Sequence, residues 1–238
     1  MRKHKSRNRR NFIRYLIAGL LFCVGIGLLL LDPLKNYFIQ QGQEVNSIAN
    51  LTREEIVANQ QRTVTYNFED VEAISAYRVL KNRINPKDLP TIGAIAIPSV
   101  KVNLPIYLGV SEEGMYLGAC TLIKNQQMGQ SNYPLASHHS IHPDLLFAPL
   151  KHLQLDDLIY LTDLDAVYVY RTHLIETVDP YRIDVLASTE QSIVTLITCD
   201  DTLENRLIIQ AELIDTKPMK QVTPEMLDAF NLAQTIPE

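Results

Sequence analysis

The sequence predicts an all-β domain, a barrel or a sandwich, preceded by one N-terminal transmembrane helix. Two observations support this fold class. Residues 15–31, YLIAGLLFCVGIGLLLL, are apolar and carry no charge. From residue 90 onward, short runs rich in β-branched residues alternate with turns rich in Pro, Gly, Asn and Asp, which is typical of sandwiches and barrels. A chain of 238 residues, 46% of them hydrophobic, can bury one sizeable core.

Charge is distributed unevenly along the chain, whose formal net charge is −5. The first 14 residues hold seven basic residues and no acidic one, so the other 224 carry 15 basic and 27 acidic side chains. A basic tip thus precedes an acidic body, and this balance argues against a nucleic-acid binder with a basic surface.

The apolar run at residues 15–31 is predicted to be an uncleaved signal anchor. Its 17 residues would span roughly 26 Å as a helix, close to the hydrocarbon thickness of a bilayer. The residues after it, DPLK, offer no small-x-small cleavage site. Because the basic residues precede the run, the positive-inside rule predicts a single-pass protein of the cell membrane, with residues 1–14 in the cytoplasm and the body outside.

The remaining chain divides into three parts. Residues 32–89 are interpreted as a helical stalk and spacer, with a capping box at Thr52–Glu55 and a second helical pattern at Val71–Leu80. Residues 90–216 form the β domain, and residues 217–238 form a tail with one amphipathic helix. Seven strands and one short helical segment are predicted in the domain. The strands are Ile92–Ile97, Leu104–Leu108, Leu158–Leu161, Ala166–Thr172, Ile183–Leu186, Ile193–Thr198 and Arg206–Leu213, and the helical segment is Asp144–Leu150.

Cys199 is the first candidate for chemistry. It ends a β-branched run, before an acidic turn, and the end of a strand fixes a side chain while adjoining loops admit a substrate. Arg206 opens the next strand, so a hairpin would bring its guanidinium beside the thiol, where it can stabilise an oxyanion. The alternative is a half-buried cysteine that only caps the strand. Cys120 and Cys199 also permit one structural disulfide.

Adjacent histidines, His138 and His139, supply a possible partner for the thiol. A cysteine needs a proton acceptor or an imidazolium partner to react as the thiolate near neutral pH. A metal site that includes His142 is a weaker interpretation, because this spacing outside a helix is not typical of metal ligands. A serine nucleophile, Ser137 or Ser140, would lack the G-x-S-x-G elbow.

These motifs together resemble those of a known family. Residues 195–199, TLITC, match the TLxTC signature of sortases, the cysteine transpeptidases of Gram-positive cell surfaces. Residues 136–138, ASH, resemble the segment with the family's catalytic histidine, and Arg206 stands where the family has its essential arginine. Residues 92–98 and 146–150 resemble the first barrel strand and the segment after the histidine loop. The signal anchor is similar to that of class A, or housekeeping, members.

The resemblance, which covers residues 90–215, implies a closed eight-stranded sortase-type β-barrel. It implies an enzyme that cleaves an LPXTG-type sorting signal of secreted proteins between Thr and Gly. The protein would then be transferred to an amine of a lipid-linked peptidoglycan precursor. Cys199 would be the nucleophile, His138 the general acid and base, and Arg206 the group that binds the substrate backbone and stabilises the oxyanion.

Further residue assignments are implied by the same resemblance. The family's histidine follows Ala-Gly, and Ala136 and Ser137 stand in that place, which favours His138 over His139. Ala136 and Thr198 are implied to line the substrate groove.

The resemblance also bears on cofactors and on the second cysteine of the body. Some class A members bind calcium through acids before the histidine, whereas residues 122–133 contain no Asp or Glu. We therefore expect no metal or other cofactor and calcium-independent activity. Since a disulfide would destroy the nucleophile, Cys120 is expected to be a small buried side chain.

Two alternatives remain at this point. A class C pilin-polymerising sortase has the same site, but usually carries a second C-terminal span and an Asp-Pro-aromatic lid, and the sequence shows neither feature. A membrane-tethered, non-catalytic β-barrel binding module would use Cys199 only for packing.

Overall fold

A closed barrel of eight strands forms the body of the protein. The structure is a computed structural model that describes residues 3–67, 85–140 and 142–231. The strands are β1 (Thr91–Ile97), β2 (Val102–Tyr107), β3 (Ala119–Thr121), β4 (Asn132–Ala136), β5 (Leu158–Thr162), β6 (Ala166–Val178), β7 (Ile193–Cys199) and β8 (Arg206–Pro218). They follow the order β1-β2-β3-β4-β7-β8-β6-β5 around the barrel. The predicted closed eight-stranded β-barrel is confirmed.

Four α-helices are described around the barrel. They are α1 (Lys3–Val45), α2 (Arg53–Gln60), α3 (Glu112–Leu117) and α4 (Pro224–Ala229). The predicted capping box starts α2, where the Thr52 side chain accepts from the Glu55 backbone N–H and the Glu55 carboxylate accepts from the Thr52 N–H. Thr223 caps α4, and Phe230, which follows this helix, is fully buried against the barrel.

Neighbouring strands in the barrel are antiparallel except for two parallel pairs. Strand β2 runs parallel to β3, and β4 runs parallel to β7. The longest ladder joins β6 to β8, from Ala166 opposite Pro218 to Val178 opposite Arg206. Closure of the ladder around the barrel satisfies the backbone groups that a sheet edge would expose.

Helix α1 is long enough and apolar enough to cross a membrane. Its segment Asn11–Val45 has a mean hydropathy of 2.3 in its most apolar window, and none of that window is buried. This agrees with a membrane anchor. The helix does not end at residue 31 but continues through Pro33, whose missing N–H removes one backbone hydrogen bond.

The predicted stalk packs on the barrel and is not a free spacer. Ile39 of α1 belongs to the main core, and Ile48 and Ile56 cover Ala94 and Ala96 on the outer face of β1. This cover explains why all seven residues of β1 are buried on both faces of the strand. The helical pattern predicted at Val71–Leu80 lies outside the described residues.

Several local predictions were wrong. Residues 183–186 do not form a strand. Residues Asp184–Leu186 form a single 3-10 turn, and the Asp184 carboxylate accepts two hydrogen bonds from Arg182. The helical segment predicted at Asp144–Leu150 is a 3-10 turn at Ala148–His152. Strands β3 and β4 were not predicted at all.

Candidate active site

The β7–β8 hairpin places Cys199 and Arg206 side by side. Cys199 is the last residue of β7 and lies directly opposite Arg206, the first residue of β8. Side chains at opposed positions of an antiparallel pair share one face, with Cβ atoms about 5 Å apart. The connecting turn is held by Asp200, whose carboxylate accepts from Thr202 Oγ1 at 2.8 Å and from Asn205 Nδ2 at 3.1 Å.

The β4–β7 ladder brings His138 to the same end of the barrel. Ala136 lies opposite Ile197 in this parallel pair, and the Ser137 N–H donates to the Ile197 carbonyl at 3.2 Å. His138 follows two residues after the end of β4, at the same end of the barrel as Cys199, which ends β7. The His138 carbonyl accepts from the Phe147 N–H at 3.2 Å, which ties down the start of the histidine loop. Cys199 and Arg206 are therefore opposed across a hairpin, and His138 lies at the same end of the barrel. That the three residues act together stays a prediction.

Burial shifts the pKa values of both His138 and Cys199. His138 is 8% exposed, and the loss of solvent lowers its pKa to about 4, while the charge of Glu112 acts in the opposite direction. Cys199 is half-buried, and desolvation raises the pKa of its thiol against the opposing charge of Arg206. Burial thus disfavours the charged form of both side chains, the imidazolium of His138 and the thiolate of Cys199.

Two buried polar atoms near Cys199 have no hydrogen-bond partner among the described residues. They are Nε2 of His138 and Oγ1 of Thr198. Thr198 and Ala136, the residues predicted to line the groove, are both almost fully buried. The groove assignment of Ala136 and Thr198 stays a prediction.

His139 makes different contacts from those of His138. Its Nε2 lies 3.2 Å from Oδ1 of Asp201, and Nζ of Lys151 lies 3.1 Å from the same oxygen. Asp201 belongs to the β7–β8 turn, so this cluster links the histidine loop to the turn behind Cys199. Among the residues that the structure describes, no three His, Cys, Asp or Glu side chains converge as a metal site would require.

Cys120 and Cys199 are both free thiols in the structure. Cys120 lies in β3, fully buried, and desolvation raises the pKa of its thiol to about 12. Cys199, by contrast, is partly accessible.

Comparison with known proteins decides the family. The sortase domain model matches residues 95–214. Sortase A of Streptococcus agalactiae serotype III (strain NEM316) is 36% identical over 96% of each chain. Sortase A of Listeria monocytogenes serovar 1/2a is 33% identical over 85% of this chain and 92% of its own.

The chain belongs to the sortase family.

Structural comparison agrees with this assignment. A solved sortase A from Listeria monocytogenes is 36% identical, with a TM-score of 0.56, over 60% of this chain and 99% of its own. Sortase C-3 from Streptococcus pneumoniae is 21% identical, with a TM-score of 0.54, over 83% and 92%, and this likeness concerns the fold alone. The sortase A relatives identify this sortase as a class A cysteine transpeptidase.

In this sortase, a residue that contacts the His138 imidazole was not predicted from the sequence. The Tyr116 ring stacks on His138, and Tyr116 lies in α3, a helix that was not predicted. A signal was present, because Ser111 followed by Glu112 and Glu113 is a typical helix start. The Ser111 side chain does accept from the Gly114 N–H at 3.0 Å.

Proposed function

We propose that this sortase cleaves LPXTG-type sorting signals between Thr and Gly and joins the new carboxyl end to an amine of a lipid-linked cell-wall precursor. The observation that carries the proposal is the pairing of Cys199 with Arg206 across the β7–β8 hairpin, with His138 at the end of the neighbouring strand. Nucleophile, cation and proton carrier are then supplied by three adjacent strands of a rigid barrel.

In the first step, the Cys199 thiol passes its proton to His138, and the sulfur attacks the carbonyl carbon of the signal's threonine. A C–S bond forms, and the C–N bond to glycine breaks after His138 gives its proton to the leaving amine. The guanidinium of Arg206 donates hydrogen bonds to the oxygen that becomes negative in the transition state and orients the substrate backbone. The product of this step is a thioacyl enzyme.

In the second step, the acceptor amine attacks the thioester carbonyl. His138, now neutral, takes a proton from the amine, and the C–S bond breaks as the new amide forms. The Cys199 thiolate leaves and takes the proton back from His138, so the site returns to its starting protonation. Two acyl transfers through one sulfur allow an amine to replace glycine without free acid as an intermediate.

The proposal includes a topology. With α1 in the bilayer, seven basic residues at the start of the chain favour a cytoplasmic N-terminus, and the barrel then lies outside the cell in the cell membrane. Its protein substrates are secreted proteins with C-terminal sorting signals, which reach the same side of the membrane.

The test uses the full chain in detergent with a fluorogenic LPXTG peptide and an added amine. Wild-type protein should release the glycine fragment and form the amide with the threonine carboxyl group, both identified by mass. Cys199→Ala should lose all turnover, whereas Cys120→Ala should keep it because Cys120 is buried away from solvent. Turnover that survives in Cys199→Ala would overturn the proposal.

We also propose that activity does not depend on calcium. Hard cations need several oxygen ligands, usually including carboxylates, and residues 122–133 before the histidine contain no acid. Rates measured with excess calcium and with a calcium chelator should agree within error. A large stimulation by calcium would contradict this.

A further inference from the structure

The environment of the His138 imidazole is built largely by one short helix. The ring centroids of Tyr116 and His138 lie 5.3 Å apart, with an angle of 26° between the planes, which is a stacked arrangement. Tyr116 is fully buried and His138 nearly so. A stacked, buried neighbour restricts rotation of the imidazole and leaves its edge free for proton transfer.

The tyrosine is coupled to a carboxylate one helical turn earlier. The Tyr116 hydroxyl donates to Oε1 of Glu112 at 2.6 Å, a short distance that is typical of a charge-assisted hydrogen bond. The spacing of four residues places both side chains on the same face of α3. The charge of Glu112 also favours the protonated form of His138 and partly offsets the effect of burial.

Helix α3 is held from two sides. A Cβ atom on Gly42 of α1 would lie 2.7 Å from Cδ2 of Leu117, so α1 and α3 are in close contact. On the other side, the Ser137 hydroxyl donates to the Gly118 carbonyl at 2.7 Å. Since Ser137 precedes His138, the helix with the tyrosine and the segment with the histidine are tied directly to each other.

We propose that Tyr116 and Glu112 are positioning residues for His138. The Tyr116 ring holds the plane of the imidazole, and the tyrosine–carboxylate pair stabilises the imidazolium that forms when Cys199 gives up its proton. The proposal rests on the function proposed above, in which His138 is the general acid and base.

The physical reason lies in the charge that the reactive form carries. An aromatic face attracts a cation, and this attraction increases where solvent is excluded. A carboxylate hydrogen-bonded to the phenol adds negative charge on the same side. Cys199 and Arg206 lie opposite each other at the start of the β7–β8 hairpin turn, and the charge of Arg206 favours the Cys199 thiolate. The charge of Glu112 favours the imidazolium of His138.

In the described part of the chain, Asp200 and the charged cluster of the histidine loop are further titratable groups at this end of the barrel. Asp200 is engaged by the turn residues Thr202 and Asn205. Asp201 pairs with His139 and Lys151.

The test measures kcat/KM of the full chain in detergent against pH with a fluorogenic LPXTG peptide. The fraction of enzyme with a Cys199 thiolate and a His138 imidazolium depends on the ratio of the ionisation constants of these two groups. Lowering the pKa of His138 by one unit therefore has two effects on the pH profile of kcat/KM. The midpoint of its acidic side moves down by one pH unit, and its maximum falls tenfold. For Glu112→Gln we expect both changes together, with a plateau about three- to tenfold lower. Tyr116→Phe should change both in the same direction by less.

Removal of the Tyr116 ring tests whether it holds the plane of the His138 imidazole. Tyr116→Leu should lower kcat at least tenfold while KM stays the same, because the imidazole is no longer held while the substrate groove is intact. Should this variant fail to fold, Glu112→Gln and Tyr116→Phe still decide the proposal, since both retain the size of the side chain.

Glu113→Gln is the matched control. It removes the same charge from the same turn of α3, but Glu113 acts on Cys120 and not on His138. Its profile should superimpose on that of the wild type. The proposal is overturned if Glu112→Gln behaves like Glu113→Gln, or if its plateau falls without a shift of the acid limb. Loss of all turnover in Cys199→Ala separates these outcomes from a failure of the proposed function.

Discussion

At Arg206, positive charge and hydrogen-bond geometry can be separated by substitution. Arg206→Lys keeps the charge but loses the planar fork of donors, so kcat/KM should fall by about 10²–10³. Its alkaline limb should stay near that of the wild type, because a cation still lowers the pKa of the Cys199 thiol. In Arg206→Ala the alkaline limb should move to higher pH as well.

Two measurements check this prediction. The first is the pH profile of peptide cleavage, and the second is the rate of Cys199 alkylation at fixed pH, which reports the thiolate fraction. Near wild-type cleavage by Arg206→Lys would contradict the role assigned to the guanidinium.

Burial of neutral His138 predicts a loss of stability in acid. The pKa of His138 is about 4 in the folded chain and 6.5 for a free side chain, so between these values the unfolded chain binds a proton that the folded chain does not. Stability therefore falls as pH drops from 6.5 to 4, by ~3 kcal/mol in total. His138→Gln lacks this contribution.

The comparison needs only thermal unfolding of the two full chains at pH 7 and at pH 4.5. The wild type should lose more of its unfolding free energy between these conditions than His138→Gln does. Equal losses would show that the imidazole is not held neutral by burial.

At the level of residues, Cys199, His138 and Arg206 could be named as candidates from the sequence, whereas their neighbours could not. Cys199 and Arg206 were predictable because a hairpin brings sequence neighbours into register. His138 depended on the resemblance to sortases, since β4 is separated from β7 by more than 50 residues. Tyr116 could not be predicted, because its contact depends on how α3 lies against the histidine segment.

At the level of elements, the two strands that were not predicted and the one that was wrongly predicted have physical explanations. β3 is only three residues long, and β4, NYPLA, contains Pro134, which lacks a backbone donor. Both strands are stabilised by their partners on either side and not by local preference. Residues 183–186 have the composition of a strand, but Asp184 pairs with Arg182 and the chain turns instead.

The hydroxyl of Ser137 has a structural role at the junction of two elements. It is buried and donates to the Gly118 carbonyl between α3 and β3. Ser137→Ala would leave that carbonyl unpaired, which should lower the unfolding free energy by about 1–2 kcal/mol. Chemical or thermal unfolding measures this change.

A serine on the surface provides the control for this substitution. Ser99→Ala, at an exposed position, should change stability by less than about 0.5 kcal/mol. If the two substitutions have the same effect, the hydrogen bond contributes nothing to the junction.

At the scale of the whole molecule, the C-terminal part of helix α1 connects the apolar segment of the same helix to the barrel. Asn46, just after the helix, donates from Nδ2 to the Pro86 carbonyl at 2.7 Å and to the Tyr107 hydroxyl at 3.0 Å. Tyr107 is buried, so Asn46→Ala would leave its hydroxyl with one partner fewer and should destabilise the barrel by about 1–3 kcal/mol.

Thermal unfolding of the full chain followed by aromatic circular dichroism tests the contribution of Asn46. Asn50→Ala is the control, since Asn50 is exposed and donates to the nearby Glu44 carbonyl. Destabilisation by Asn46→Ala that is no larger than that by Asn50→Ala would mean that α1 is only loosely attached.

The continuity of α1 limits the distance between the barrel and the apolar segment of this helix. Ile39, which is already part of the barrel core, follows residue 32 by seven residues, or about 10 Å of helix. With α1 in the bilayer, as proposed above, a connection of this length would hold the barrel close to the membrane surface. The proposed reactants would then be met by lateral diffusion in two dimensions, and the encounter rate would depend on their density per area of membrane.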